Sequence, residues 1–125
     1  MIDAPPPETK PSPADARVLG CIADRRRANP VPLATICRWT GLKRRHVLEC
    51  INRLVIAHRV PIGSSRGKTA GYWLAQTAED REAAARPFRK QFINEAIRVG
   101  VLLNRADLCE LAGQLRISEG EIGAS

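Results

Sequence analysis

Two interruptions decide what the stretch from Val18 to Leu54 can become. Asn29-Pro30-Val31-Pro32 breaks any helix that reaches it, and Gly41 stops the next one, so only short helices fit around them. The first is opened by Ser12-Pro13-Ala14-Asp15: Ser12 can cap it, Pro13 suits its first position, and Asp15 can close a capping box. Val18, Cys21 and Ile22 then recur at helical spacing, which predicts a helix to about Arg27. Leu33 to Thr40 forms a second helix that buries Leu33, Ile36 and Cys37. Arg44 to Ala57 forms a third, with Val47, Cys50, Ile51 and Leu54 on one face. Arg45, Glu49 and Asn52 then point about 140 to 200 degrees away from that face, free to meet something else.

Beyond His58 the periodicity changes. Arg59-Val60-Pro61-Ile62 and Tyr72-Trp73-Leu74-Ala75 read as two strands, and Gly63 to Gly71 between them as a long, flexible, basic tip of a β-hairpin. Pro61 lacks an amide donor, which places its strand at an edge or turns that N–H site outward. Thr77-Ala78-Glu79-Asp80 repeats the capping signal and starts a charged helix through Arg86, which Pro87 is expected to end or kink. Phe88, Phe92, Ala96, Val99 and Leu103 follow as one apolar stripe, with Ile93, Ile97 and Val101 making other faces apolar as well. Such a helix needs more than one partner. Phe88, Phe92, Val99 and Leu103 are therefore the candidate dimerisation residues of a homodimer.

At 125 residues there is room for one small domain with a core and an appendage. The expected division is a disordered proline-rich arm over 1–11, the three helices and hairpin over 12–76, and a helical packing or dimerisation segment over 77–125. Lys and Arg total 20 against 13 Asp and Glu, a net charge of +7 that attracts polyanions, nucleic acid first among them. No apolar run is long enough to span a membrane and the first 13 residues lack a signal-peptide core, so a cytoplasmic, nucleoid-associated protein is expected. Cys21, Cys37, Cys50 and Cys109 contain no CxxC pair and read as reduced core residues. Cys50 and His46 lie one helical turn apart, but structural zinc takes four paired ligands, so neither metal nor cofactor is expected. His46 and His58 have no partner implying catalysis. No Ser/His/Asp or Cys/His arrangement, phosphate-cradling glycine loop or spaced carboxylate pair occurs, which points away from an enzyme.

Three helices followed by a basic hairpin is the order of a winged helix, and the segment Ile36-Cys37-Arg38-Trp39-Thr40-Gly41-Leu42-Lys43-Arg44-Arg45-His46-Val47-Leu48-Glu49-Cys50-Ile51-Asn52-Arg53-Leu54 resembles the helix-turn-helix at the N-terminus of biotin repressors. Gly41 matches that family's turn glycine, Cys37 its small helix-crossing position, and Val47, Ile51 and Leu54 its buried positions. Gly71-Tyr72-Trp73-Leu74 resembles the strand that closes the wing. The similarity runs from Val18 to Gln76, about half the chain. Two residues depart from it: Thr40 stands where a leucine is usual, a smaller core residue that neighbouring Trp39 is expected to offset. Lys43 replaces the serine or threonine that often begins the recognition helix. No biotin-ligase domain follows, so no small-molecule effector is implied.

The resemblance implies a mainly α fold with a small β-hairpin wing, a winged helix-turn-helix plus C-terminal helices, that binds double-stranded DNA. The residue chemistry agrees with it. Lys43-Arg44-Arg45 occupies the turn that enters the major groove. Arg45 can present two donors to guanine, Asn52 can pair with adenine, and Glu49 can accept from cytosine. With Arg53 these are the candidate recognition-helix residues, and Ser64, Ser65, Arg66 and Lys68 are the candidate wing residues, suited to phosphates or an adjacent minor groove. The expected role is a sequence-specific transcriptional regulator of repressor type, bacterial or phage, acting as a dimer. A DNA-binding accessory protein for replication or recombination of a mobile element is the alternative within DNA binding. A winged-helix protein-interaction module is the alternative outside it, and the Lys43-Arg44-Arg45 run argues against that. Asp107 to Ile122 also resembles the first half of a helix-turn-helix, which leaves a truncated second unit or a plain packing or dimerisation helix as its two readings.

Overall fold

The computed structural model describes the backbone of residues 10–124 and the side chains of residues 10–116. The chain is mainly helical, with one two-stranded antiparallel hairpin. The arm expected over 1–11 lies almost wholly outside the described residues. α1 (Pro13–Ile22) starts as its sequence dictates, with Ser12 Oγ accepting the Asp15 N–H at 3.1 Å and Pro13 where no donor is needed. It ends short of the expected Arg27. The Arg25 carbonyl accepts a hydrogen bond from the Leu74 N–H at 3.1 Å, and the Arg25 N–H turns to Ile22 at 2.9 Å, so the chain leaves the helix to serve the hairpin.

α2 (Leu33–Thr40) closes on Gly41, whose φ of 74° is left-handed, with its N–H donating to the Cys37 carbonyl at 2.9 Å. A side chain there would clash with its own backbone, so glycine is the residue that lets the helix stop and turn. α3 (Arg44–Ile56) follows from Lys43, which caps it without any side-chain hydrogen bond. The three helices close on Val18, Ile22, Val31, Ile36, Val47, Cys50 and Leu54, all fully buried. Each large aliphatic among them contributes roughly 1.5–3 kcal/mol by leaving water. Leu33 and Cys37, expected inside, are half-buried at the margin.

The expected compensation at Thr40 does not occur. Trp39 is 55% exposed and fills nothing in the core. Thr40 is buried instead as a polar hinge: its Oγ1 donates to the Ile36 carbonyl at 2.7 Å and accepts the Leu42 N–H at 3.2 Å. A hydroxyl satisfied on both sides costs little to bury and fixes the turn into α3.

β1 (Ile62–Ser65) pairs with β2 (Gly71–Leu74) in the register Ile62 to Leu74 and Ser65 to Gly71. The first strand thus begins where the expected one ended. Arg59 has φ of 59°, which bends the chain out of the extended conformation before Val60. Gly63, Ser64 and Ser65 belong to the strand, because Gly63 lies directly under the buried Trp73 ring, where a Cβ would sit 2.5 Å from the indole. The tip shrinks to Arg66–Ala70, tightened by a 3-10 turn at Gly67–Thr69. Val31, from the break between α1 and α2, bridges Tyr72 with two 2.8 Å hydrogen bonds, so β2 is paired on both sides.

α4 (Ala78–Leu102) begins with Thr77 Oγ1 accepting the Asp80 N–H at 3.0 Å. It passes through Pro87, so of the two expected outcomes, an end or a kink, the helix does not take the end. An interior proline removes one intrahelical hydrogen bond and its ring crowds the carbonyl four residues before it, yet the helix continues on both sides. The chain divides into two units after Ala84, inside this helix. In the second unit, the remainder of α4 and α5 (Ala106–Ala124) form a helical hairpin whose turn places Asn104 at φ of 53° and ties Arg105 N–H to the Gly100 carbonyl at 2.7 Å. Ile93 and Ala112 are buried there. α5 runs unbroken through Gly113, so Asp107 to Ile122 is not a truncated helix-turn-helix, since that needs a turn after its first helix. No helix among the described residues is long and apolar enough to cross a membrane.

Candidate nucleic-acid interface

α3 separates its two faces by its period of 3.6 residues. Val47, Cys50, Ile51 and Leu54 point into the core, while Lys43, Arg44, Arg45, His46, Glu49 and Asn52 are exposed. Arg44, Arg45, Leu48, Glu49 and Asn52 line one shallow depression on the outer face. The structure therefore gathers four of the expected residues, Arg44, Arg45, Glu49 and Asn52, at the start and middle of α3. Leu48, which the apolar pattern left unassigned, is 38% exposed in their midst. Its signal was available: one residue past Val47 is a rotation of about 100 degrees, enough to leave the core face.

Arg45 and Glu49 are one turn apart, with Nε and Oε1 3.4 Å from each other and side chains 93% and 53% exposed. An i,i+4 pair this exposed is worth about 0.3–0.5 kcal/mol. It orients the guanidinium along the helix and yields readily to a better acceptor. Lys43 and Arg44 add positive charge at the N-terminal end, where the helix dipole already favours anions.

Arg53 is placed differently from the rest. Its guanidinium reaches across to α1 and grips Asp15, Nη2 to Oδ1 at 3.0 Å and Nε to both oxygens at 3.2 and 3.3 Å. Asp15 is 1% exposed. Burial pushes its carboxyl up, but the hydrogen bonds from Arg53, the Cys50 thiol and Ser12, with the nearby charge of Arg53, outweigh burial and hold it below its ordinary value. Burial and the neighbouring Asp15 push the Cys50 thiol up, so it stays protonated. Arg53 thus ties α1 to α3 rather than standing with the outer face. Nothing local in the sequence pairs residues so far apart.

On the hairpin, Ser65 Oγ accepts the Trp73 Nε1–H at 3.0 Å and belongs to the hairpin's own packing. Ser64, Arg66 and Lys68 are exposed, the last two at the tip. No protein-family model, curated protein or solved structure matches this chain. What the surface can do rests on its own chemistry. Of the 20 Lys and Arg and 13 Asp and Glu, 14 and 8 fall at or before Ala84 and 6 and 5 after it, so the first unit carries +6 of the net +7. The positive field of the chain is therefore concentrated on that unit.

Elsewhere in that unit, Arg25 lies 5.6 Å from the centroid of the exposed Trp39 ring and bonds Asn29 Oδ1 at 3.3 Å, which holds the loop after α1 against α2. The four cysteines are unpaired, Cys50 buried and the others half-buried. Among the described residues no three His, Cys, Asp or Glu side chains are grouped to hold a metal ion.

Proposed function

We propose that this chain binds double-stranded DNA sequence-specifically through a winged helix-turn-helix, with α2, the Gly41 turn and α3 as the helix-turn-helix and the β1–β2 hairpin as the wing. The supporting observation is the outer face of α3: two arginines, a carboxylate, an amide and a leucine share one solvent-open depression on the most basic unit of the chain. Arg45 donates to guanine O6 and N7, Asn52 pairs with adenine N6 and N7, Glu49 accepts from cytosine N4, and Leu48 packs on a thymine methyl. Lys43 and Arg44 meet flanking phosphates, which fix register without reading bases. Arg66 and Lys68 at the wing tip hold the backbone or an adjacent minor groove.

A mixed set of donors, acceptors and one apolar group suits sequence readout better than plain charge attraction, and sequence-specific readout is what a regulator of transcription, repressor in type, requires. Selection of bound sequences from a random duplex pool tests the reading. Enrichment of a short motif containing guanine and adenine steps is the expected result. A pool that stays random after repeated rounds overturns sequence-specific binding.

A further inference from the structure

The second unit leaves an apolar face open. Phe88, Phe92 and Val99 on α4, with Leu103 one residue past its end and its N–H still on the Val99 carbonyl at 2.9 Å, fall within about 60 degrees of one another and are 63%, 52%, 41% and 63% exposed. Phe88, Phe92 and Leu115 of α5 line a groove together with Ala85 and Arg89, and Leu111 is 42% exposed one turn before Leu115. We infer that a second copy of this chain covers this face, α4 and α5 of one protomer packing on those of the other about a two-fold axis.

Area and charge both favour that occupant. A fully covered phenylalanine buries at least about 150 Å², so the two phenylalanines leave on the order of 200 Å² open, and the four aliphatic residues raise the patch to roughly 500 Å². A standard interface takes about 800 Å² from each partner, about 65% of it apolar in homodimers, which is the same quantity. Charge selects a like partner. The second unit has a net charge of +1, against +6 for the first, so two copies meeting here avoid the repulsion they would feel through the first units. Its charged groups are also partly settled: Arg98 pairs with Glu95 at 3.2 Å and Arg105 with Asp107 at 2.6 Å.

The face is self-complementary in kind, apolar on both helices, which suits an isologous contact that closes at two copies. This inference does not depend on DNA binding, and its test uses protein alone. Sedimentation equilibrium of the full chain at micromolar concentration is expected to give twice 13.7 kDa, unchanged by high salt because the contact is apolar. Phe92→Glu, or Leu115→Glu on the other helix, is expected to weaken association at least a hundredfold and return the mass to that of one chain. Val101→Glu is the control: Val101 is 68% exposed but half a turn round α4 from Phe92, and its variant is expected to remain a dimer. Circular dichroism of each variant verifies retained helix. A monomeric intact chain overturns the inference, as does a ladder of larger species, or a Val101→Glu variant that dissociates as fully as the other two.

Discussion

Asp15 and Arg53 show how a single pair can be read two ways. An arginine on the recognition segment of a basic protein invites assignment to DNA, yet this guanidinium is spent on a carboxylate that is 1% exposed. Removing it strands a buried charge, so Arg53→Ala is expected to cost about 2 kcal/mol, toward the low side for a broken pair because the arginine itself is half-exposed. The acid response follows from the carboxyl. Its value is depressed in the folded chain, so its stabilisation is present above the unfolded value, near pH 4, and is lost as pH falls through the folded one. Urea midpoints are expected to drop between pH 5 and pH 2 in the native chain, and by less in Asp15→Asn, which no longer titrates there. An equal drop in both would mean that Asp15 does not govern acid stability.

At the level of elements, the helices were legible because their punctuation is local. Ser12, Pro13, Gly41 and Thr77 act within a turn of where they stand, and α2 runs from Leu33 to Thr40 as the sequence pattern predicts. What escaped the pattern depended on partners distant in sequence. α1 stops early because Arg25 serves β2, and the hairpin shifts because Trp73 needs Gly63 beneath it. Thr40 is the exception, its hydroxyl satisfied by the nearby Ile36 carbonyl and Leu42 N–H. Pro87, expected to end or kink the helix, does not end it. Of the α3 face, Arg45, Glu49 and Asn52 were legible from period and Arg44 from its place in the resembled recognition helix; Leu48 was within reach of the same period but left unassigned, and the diversion of Arg53 was not legible. The register carries its own test. Gly63→Ala forces a Cβ to 2.5 Å from a buried indole that has no room to move, so a loss of about 1–3 kcal/mol is expected. A thermal melt followed by tryptophan fluorescence measures it. An unchanged midpoint would mean that Trp73 does not fix the hairpin register.

Charge and apolar surface are sorted between the two units: the first holds most of the net charge, and among the described residues the second holds most of the large exposed apolar side chains. That sorting is the basis for proposing a polyanion on one unit and a second copy of the chain on the other. The proposed function separates readout from anchoring inside the first unit, with α3 proposed to meet base edges and the hairpin tip to meet phosphates. The most direct measurement is the ratio of affinity for a selected duplex to that for a random one, taken across salt for the native chain and four variants. Arg45→Ala and Asn52→Ala are each expected to lose about 1–3 kcal/mol on the selected duplex and much less on the random one, lowering the ratio. Arg66→Ala and Lys68→Ala are expected to weaken both duplexes alike and to make the salt slope shallower by about one unit for each phosphate no longer held. A ratio that collapses with the tip variants and survives Arg45→Ala and Asn52→Ala would contradict the placement of α3 in the groove.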